Sequence, residues 1–226
     1  MPVPFRYFAC SSLPTMKVDD VIASQAQLAM PWGDATAHSK LTYQGTADDD
    51  RFERYFAEHH IDREVDAIFQ QESVRRLIYV VRFHLYYFRD RNYFVVQTNK
   101  AVAKGYFDRL GKADTPVHAE AGKVDLSQAQ AKLGATTGGW FGKLKIADVS
   151  TAAIFGTDSV TSSDEWEHYN SVGELSALNM KVQDATGVQH PVMLTRDRLV
   201  LLMKDFGERD NLTFVAELNS MIDDLG

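Results

Sequence analysis

Two stretches, Ile78 to Phe88 and Tyr93 to Thr98, constrain the fold of this chain more than any other feature. Both are dense in β-branched and aromatic residues, which suit a pleated, half-buried surface. Between them Arg89-Asp90-Arg91-Asn92 is polar and turn-forming. The arrangement predicts a β-hairpin. Side chains alternate between the two faces of a strand. Odd positions Tyr79, Val81, Phe83, Leu85 and Tyr87 therefore form an apolar face that belongs on a core. Even positions Arg82, His84, Tyr86 and Phe88 form a mixed basic and aromatic face. The spacing then predicts a helix from Lys100 to Leu110, with Val102, Tyr106 and Leu110 on one side. Gly111 is placed to supply a left-handed C-terminal residue.

This segment also carries the chain's main charge anomaly. The net charge is −7, yet residues 73–112 hold 9 basic and 2 acidic groups, while residues 47–72 hold 9 acidic and 3 basic ones. Residues 113–226 are acidic, with 17 acidic and 9 basic groups. Such asymmetry bears on partners rather than on fold. A surface built from Arg75, Arg76, Arg82, His84, Tyr86, Arg89, Arg91, Lys100, Lys104 and Arg109 is suited to DNA, RNA or another polyanion. Cations there neutralise phosphates and exposed aromatics stack on bases. Two competing expectations use the same charges. The acidic residues just upstream can neutralise the segment internally, or the segment can dock an acidic protein partner or a second copy of the chain. No RNA-binding signature, zinc finger or helix-turn-helix accompanies it.

The rest of the chain predicts an α+β fold: N-terminal helices and the β-hairpin in one lobe, then a C-terminal antiparallel β-meander closed by a helix. Phe5 to Ala9 is a short aromatic strand candidate. Val18 to Met30 has helical spacing and residues 31–47 read as a loop. Asp48-Asp49-Asp50 is suited to a helix N-terminus. Phe52, Tyr55, Phe56 and His59 would share a face of that helix. A second helix starts at Asp62, with Val65, Ile68 and Phe69 inward. Residues 113–139, rich in Gly and small residues, read as a connector holding one short helix from Leu126 to Leu133. The expected lobes are therefore 1–112 and 140–226. In the second, Trp140 to Phe155 suggests one or two strands, and a capping box from Ser162 to Glu165 opens a short helix. Leu178, Met180 and Val182, then Val192 and Leu194, then Leu199 to Met203 give three strands. Leu212, Val215, Leu218, Ile222 and Leu225 mark the closing helix.

Chemistry is sparse. No cofactor motif, metal motif or catalytic motif of useful specificity is present, so the expectation is a non-enzymatic binding or regulatory protein, with a hydrolytic enzyme carrying an unrecognised site as the remote alternative. In His59-His60-Ile61-Asp62-Arg63-Glu64, helical spacing leaves His60 and Glu64 as the one ligand-like pair and separates His59 from His60. Cys10, the single cysteine, excludes an intrachain disulfide and reads as a buried thiol. Thr136-Thr137-Gly138-Gly139-Trp140 lacks the ending of a phosphate-binding loop and reads as connector. Trp166 and Tyr169 pack on the sheet. No signal peptide or membrane span is apparent, so a cytoplasmic protein is expected.

Overall fold

A computed structural model describes residues 2–13, 21–24, 37–69 and 71–224. The chain divides into two compact units: Phe8–Glu120, and Met1–Tyr7 together with Ala121–Gly226. The break at Glu120 falls inside the glycine-rich stretch that reads as connector, and the first residues of the chain belong with its last hundred.

The first unit is built on the hairpin segment, but with a different neighbour. Strand β4 (Phe52–Phe69) pairs antiparallel with β5 (Glu72–Phe88), from Phe52 opposite Phe88 to Phe69 opposite Glu72. β5 continues through the short 3-10 turn Arg89–Arg91 into β6 (Tyr93–Val96), and Asn92 takes the left-handed conformation. β3 (His38–Thr46) pairs with the other edge of β4, and β2 (Val21–Ser24) pairs with β3. β1 (Val3–Ser12) lies next to β6 in the strand order.

The two helices expected over residues 48–69 do not form; that segment is β4. Buried Tyr55, Ala57 and His59 alternate with half-buried Phe56, Glu58 and His60, which is strand periodicity. The helical spacing of Phe52, Tyr55, Phe56 and His59 arose because both faces carry aromatic residues, and pairing along β5 overrides local propensity. Strand β3 replaces the expected loop at its C-terminal end. Gly45, with φ of 105°, sits at a register shift opposite Arg54 and explains why the strand resembled a loop. The helix expected over 18–30 lies outside the described residues except at Val21–Ser24, which is strand. Among the described residues the fold is therefore mostly antiparallel β-sheet, without the N-terminal helices of the expected α+β lobe.

Helix α1 (Lys100–Leu110) forms where its spacing places it, and the Asn99 side chain caps it by accepting from the Val102 amide. Gly111 continues in right-handed conformation rather than left-handed, with its amide bonded to the Phe107 carbonyl. Val102, Tyr106, Phe107 and Leu110 pack against Phe83, Leu85, Phe94 and Val96. The odd face of β5 is thus the core face. Each large apolar side chain buried here contributes about 1.5–3 kcal/mol. The even face is also covered at this end, with Tyr86 and Phe88 buried.

In the second unit the strand order is β1-β12-β11-β10-β8-β9. β8 (Gly134–Ile146) and β9 (Val149–Phe155) form a hairpin. β10 (Glu174–Gln183), β11 (Gln189–Thr195) and β12 (Leu199–Leu202) form the antiparallel meander, and β12 pairs with Val3–Arg6 of β1. Leu178, Met180, Val182, Val192, Leu194, Val200 and Leu202 are buried. Helix α4 (Glu208–Asp223) contributes Leu212, Val215, Leu218 and Ile222 to the buried residues, and Tyr7 Oη donates to the Val215 carbonyl at 2.5 Å.

The connector segment is largely ordered structure. It holds β7 (His118–Ala121), α2 (Leu126–Lys132) and the start of β8. Gly138 and Gly139 are strand residues: a Cβ on Gly139 would stand 2.7 Å from the Trp166 ring, and one on Gly138 the same distance from the Ile154 carbonyl oxygen. These glycines serve close packing rather than flexibility. Trp166 lies on α3 (Asp164–Val172), whose cap is Ser163, one residue beyond the expected Ser162.

Candidate functional site

The basic segment is assembled beside its charge complement. On the even face of the β4–β5 pair, Glu58 stands opposite Arg82 and accepts from its Nε at 2.9 Å. Farther out, Arg76 forms a two-pronged ion pair with Asp62. On the other face Arg89 pairs with Glu53. Sheet pairing therefore brings three of the expected cations against carboxylates from the acidic run that precedes them. Antiparallel pairing of consecutive strands makes sequence neighbours of opposite charge into spatial neighbours.

The remaining candidates scatter. Arg75 is exposed on the outer part of β5, Arg91 is exposed at the turn, and Lys100 and Lys104 are exposed on α1. Tyr86 is buried and unable to stack on a base. His84 is half-buried against Phe56 and Tyr86. Arg109 turns inward: its Nη1 donates to the His38 carbonyl at 3.0 Å, to Ser39 Oγ at 3.3 Å and to the His60 carbonyl at 2.8 Å. It links α1 to the start of β3 and the middle of β4 rather than presenting charge outward. The ten residues do not form one continuous exposed patch.

Where β3 begins, a second cluster forms that the sequence pattern did not reveal. On a strand, residues two apart share a face, so Glu58 and His60 point the same way. Ser39 pairs with His59, which brings His38 to the level of His60. The His38 and His60 rings lie 3.7 Å apart between centroids. Glu58 Oε1 is 3.2 Å from His60 Nε2 and 3.6 Å from His38 Nε2. The hydrogen bond with His60 and that from Arg82 hold the Glu58 carboxyl below its usual range. All three side chains are half-buried.

His59 takes the opposite face, buried, with Nδ1 2.7 Å from Ser39 Oγ. Burial, reinforced by the charges of Arg109 and His60, pushes its pKa down to about 4, so it is neutral at physiological pH. Adjacent His59 and His60 therefore belong to different environments. The expected partnership of His60 with Glu64 is not made: four residues along a strand span about 13 Å, and Glu64 stands opposite Arg76 in the β4–β5 register. The signal that finds this cluster is period-two spacing in Glu58-x-His60 once the segment is taken as strand. His38 is added only by the β3–β4 register.

Beyond this root, β4 and β5 run outward as a ribbon. β3 pairs with β4 only as far as His59, and β6 pairs with β5 only from Leu85 to Phe88. Between those points and the tip, the two strands pair with no third strand among the described residues. Ile68 is 81% exposed, Leu77 48% and Val80 39%. Arg63 lies over the Tyr79 ring at 5.5 Å.

No protein-family model matches this chain, and no curated protein shows significant sequence similarity to it. Among the described residues, no helix is long and apolar enough to cross a membrane.

Proposed function

We propose that this is a non-enzymatic assembly protein that self-associates through the outer β4–β5 ribbon. One observation carries the proposal: a two-stranded ribbon, without a third strand among the described residues, exposes Ile68, Leu77 and Val80. An isolated two-stranded hairpin is marginal in water, and exposed apolar side chains on it favour coverage. Arg63, Asp66, Glu72 and Arg75 supply both signs of charge, which suits a second copy of the same ribbon. Cys10, buried and in no disulfide, is compatible with a cytoplasmic setting.

Light scattering coupled to size exclusion tests this. The wild-type chain is expected to run as a dimer or larger, and the double substitution Ile68→Glu, Leu77→Glu as a monomer with unchanged circular dichroism. A wild-type monomer at every concentration tried rejects the proposal.

A second proposal, polyanion binding, rests on Lys100 and Lys104, exposed one helical turn apart on α1, with Arg89 more than half exposed despite its ion pair. It predicts retention of DNA or RNA at low salt and steep loss as salt rises. Absence of a mobility shift at low salt removes it.

A further inference from the structure

We propose that His38, Glu58 and His60 form a zinc site with three protein ligands and an open fourth position. The donor atoms of the three residues lie within 4.8 Å of one another. Tetrahedral zinc with bonds of about 2.0–2.1 Å sets its ligand atoms about 3.3 Å apart. The separations of 3.2 Å and 3.6 Å from Glu58 Oε1 to the two imidazole nitrogens already match that edge. The third edge, between the two imidazoles, falls within the same 4.8 Å.

The donor set selects the metal. Two imidazoles and one carboxylate suit zinc and neighbouring transition metals, whereas calcium and magnesium prefer oxygen alone. Glu58 is also oriented as a ligand should be. Its Oε1 faces the two imidazoles while Arg82 Nε holds Oε2 at 2.9 Å. That is the outer-shell support that fixes a metal-binding carboxylate. Arg109 performs a related task on the backbone, fastening the carbonyls of His38 and His60. The rigid sheet register, not a flexible loop, sets the spacing.

The site lies where third-strand support for the ribbon ends, since Ser39 opposite His59 is the last β3–β4 pair. A zinc ion there cross-links β3 to β4 at the root of the ribbon. The fourth position, on a half-exposed face, takes water or a donor from an incoming molecule.

The test uses the tag-free full chain, stripped with chelator and titrated with Zn2+ against a chromophoric competitor. Co2+ replaces zinc for absorption spectra. One ion per chain is expected, with the intense visible bands of four-coordinate cobalt. His38→Asn and Glu58→Gln, checked for folding by circular dichroism, are each expected to weaken binding at least tenfold. No stoichiometric binding, a pale six-coordinate cobalt spectrum, or unchanged affinity in both variants overturns the proposal. The wild-type cobalt spectrum decides the matter even where a variant fails to fold. The zinc site is independent of self-association: a monomer that binds zinc supports the site and sinks the assembly proposal.

Discussion

Arg109→Met separates an inward structural cation from a surface one. Among the described residues the guanidinium donates to the carbonyls of His38 and His60 and to Ser39 Oγ, three hydrogen bonds at 2.8–3.3 Å. Methionine keeps much of the stem and removes every donor. A hydrogen bond from a charged group is worth about 1.5–3 kcal/mol, so three together set a ceiling of about 5–9 kcal/mol, well above the true cost. Two effects lower it. Burial lowers the pKa of Arg109, against the opposing pull of Asp62, so removing the ion recovers part of its desolvation cost. The half-buried position also gives water access to some of the freed acceptors. The expected loss is about 2–3 kcal/mol, equivalent to a urea midpoint lower by roughly 1–1.5 M for a slope of about 2 kcal/mol per molar. Circular dichroism measures the midpoint, and hydrogen exchange at the amides of 38–41 should rise first, because β3 loses its tie to α1. Arg75→Met is the control: Arg75 is exposed, and substitutions at such positions stay within about 0.5 kcal/mol. If Arg109→Met falls within that same margin, or the two variants cost the same, the clamp does not hold these strands.

Three other outcomes follow from particular contacts. Gly139→Ala drives a Cβ to 2.7 Å from the Trp166 ring; overpacking of this kind costs about 1–3 kcal/mol, read by thermal melting and an altered tryptophan emission. Asn99→Ala removes the acceptor of the Val102 amide and should cost about 0.5–2 kcal/mol by the usual value of such a cap, measured by denaturation; a neutral result would mean that packing of Tyr106 and Phe107 alone fixes α1. Asp184 is held well below the usual carboxylate range, first by the hydrogen bond with His190, then by the Thr186 hydroxyl and the amides of Val188 and Thr186. A depressed folded-state pKa contributes stability above the unfolded value, near 3.9, and loses it as pH falls toward the folded value. Asp184→Asn should therefore be less stable than wild type near neutrality and converge with it in acid; a pH-independent difference in the denaturation midpoint would contradict the assignment.

The strands that read clearly are those where one local pattern has one solution. Ile78 to Phe88, the meander from Leu178 to Leu202 and the stripe of α4 each alternate or repeat with a single period. Burial then selects the same face that the pattern selects. Residues 52–69 behave differently. Aromatic residues on both faces satisfy a helical and an extended spacing at once, and acidic residues before them imitate a helix start. Only pairing with β5 resolves the choice, because cross-strand contacts are not encoded in the local spacing.

The same distinction governs function. The sequence by itself determined that a basic run follows an acidic one, that the odd face of β5 belongs to a core, and that α1 spans Lys100–Leu110. Tertiary structure decided what those charges do. It set Arg82 against Glu58, Arg76 against Asp62 and Arg89 against Glu53, and it turned Arg109 inward. It also joined His38 to a pair twenty residues away. Charge content is a property of composition, but neutralisation and ligation depend on distance, and the register between strands fixes that distance.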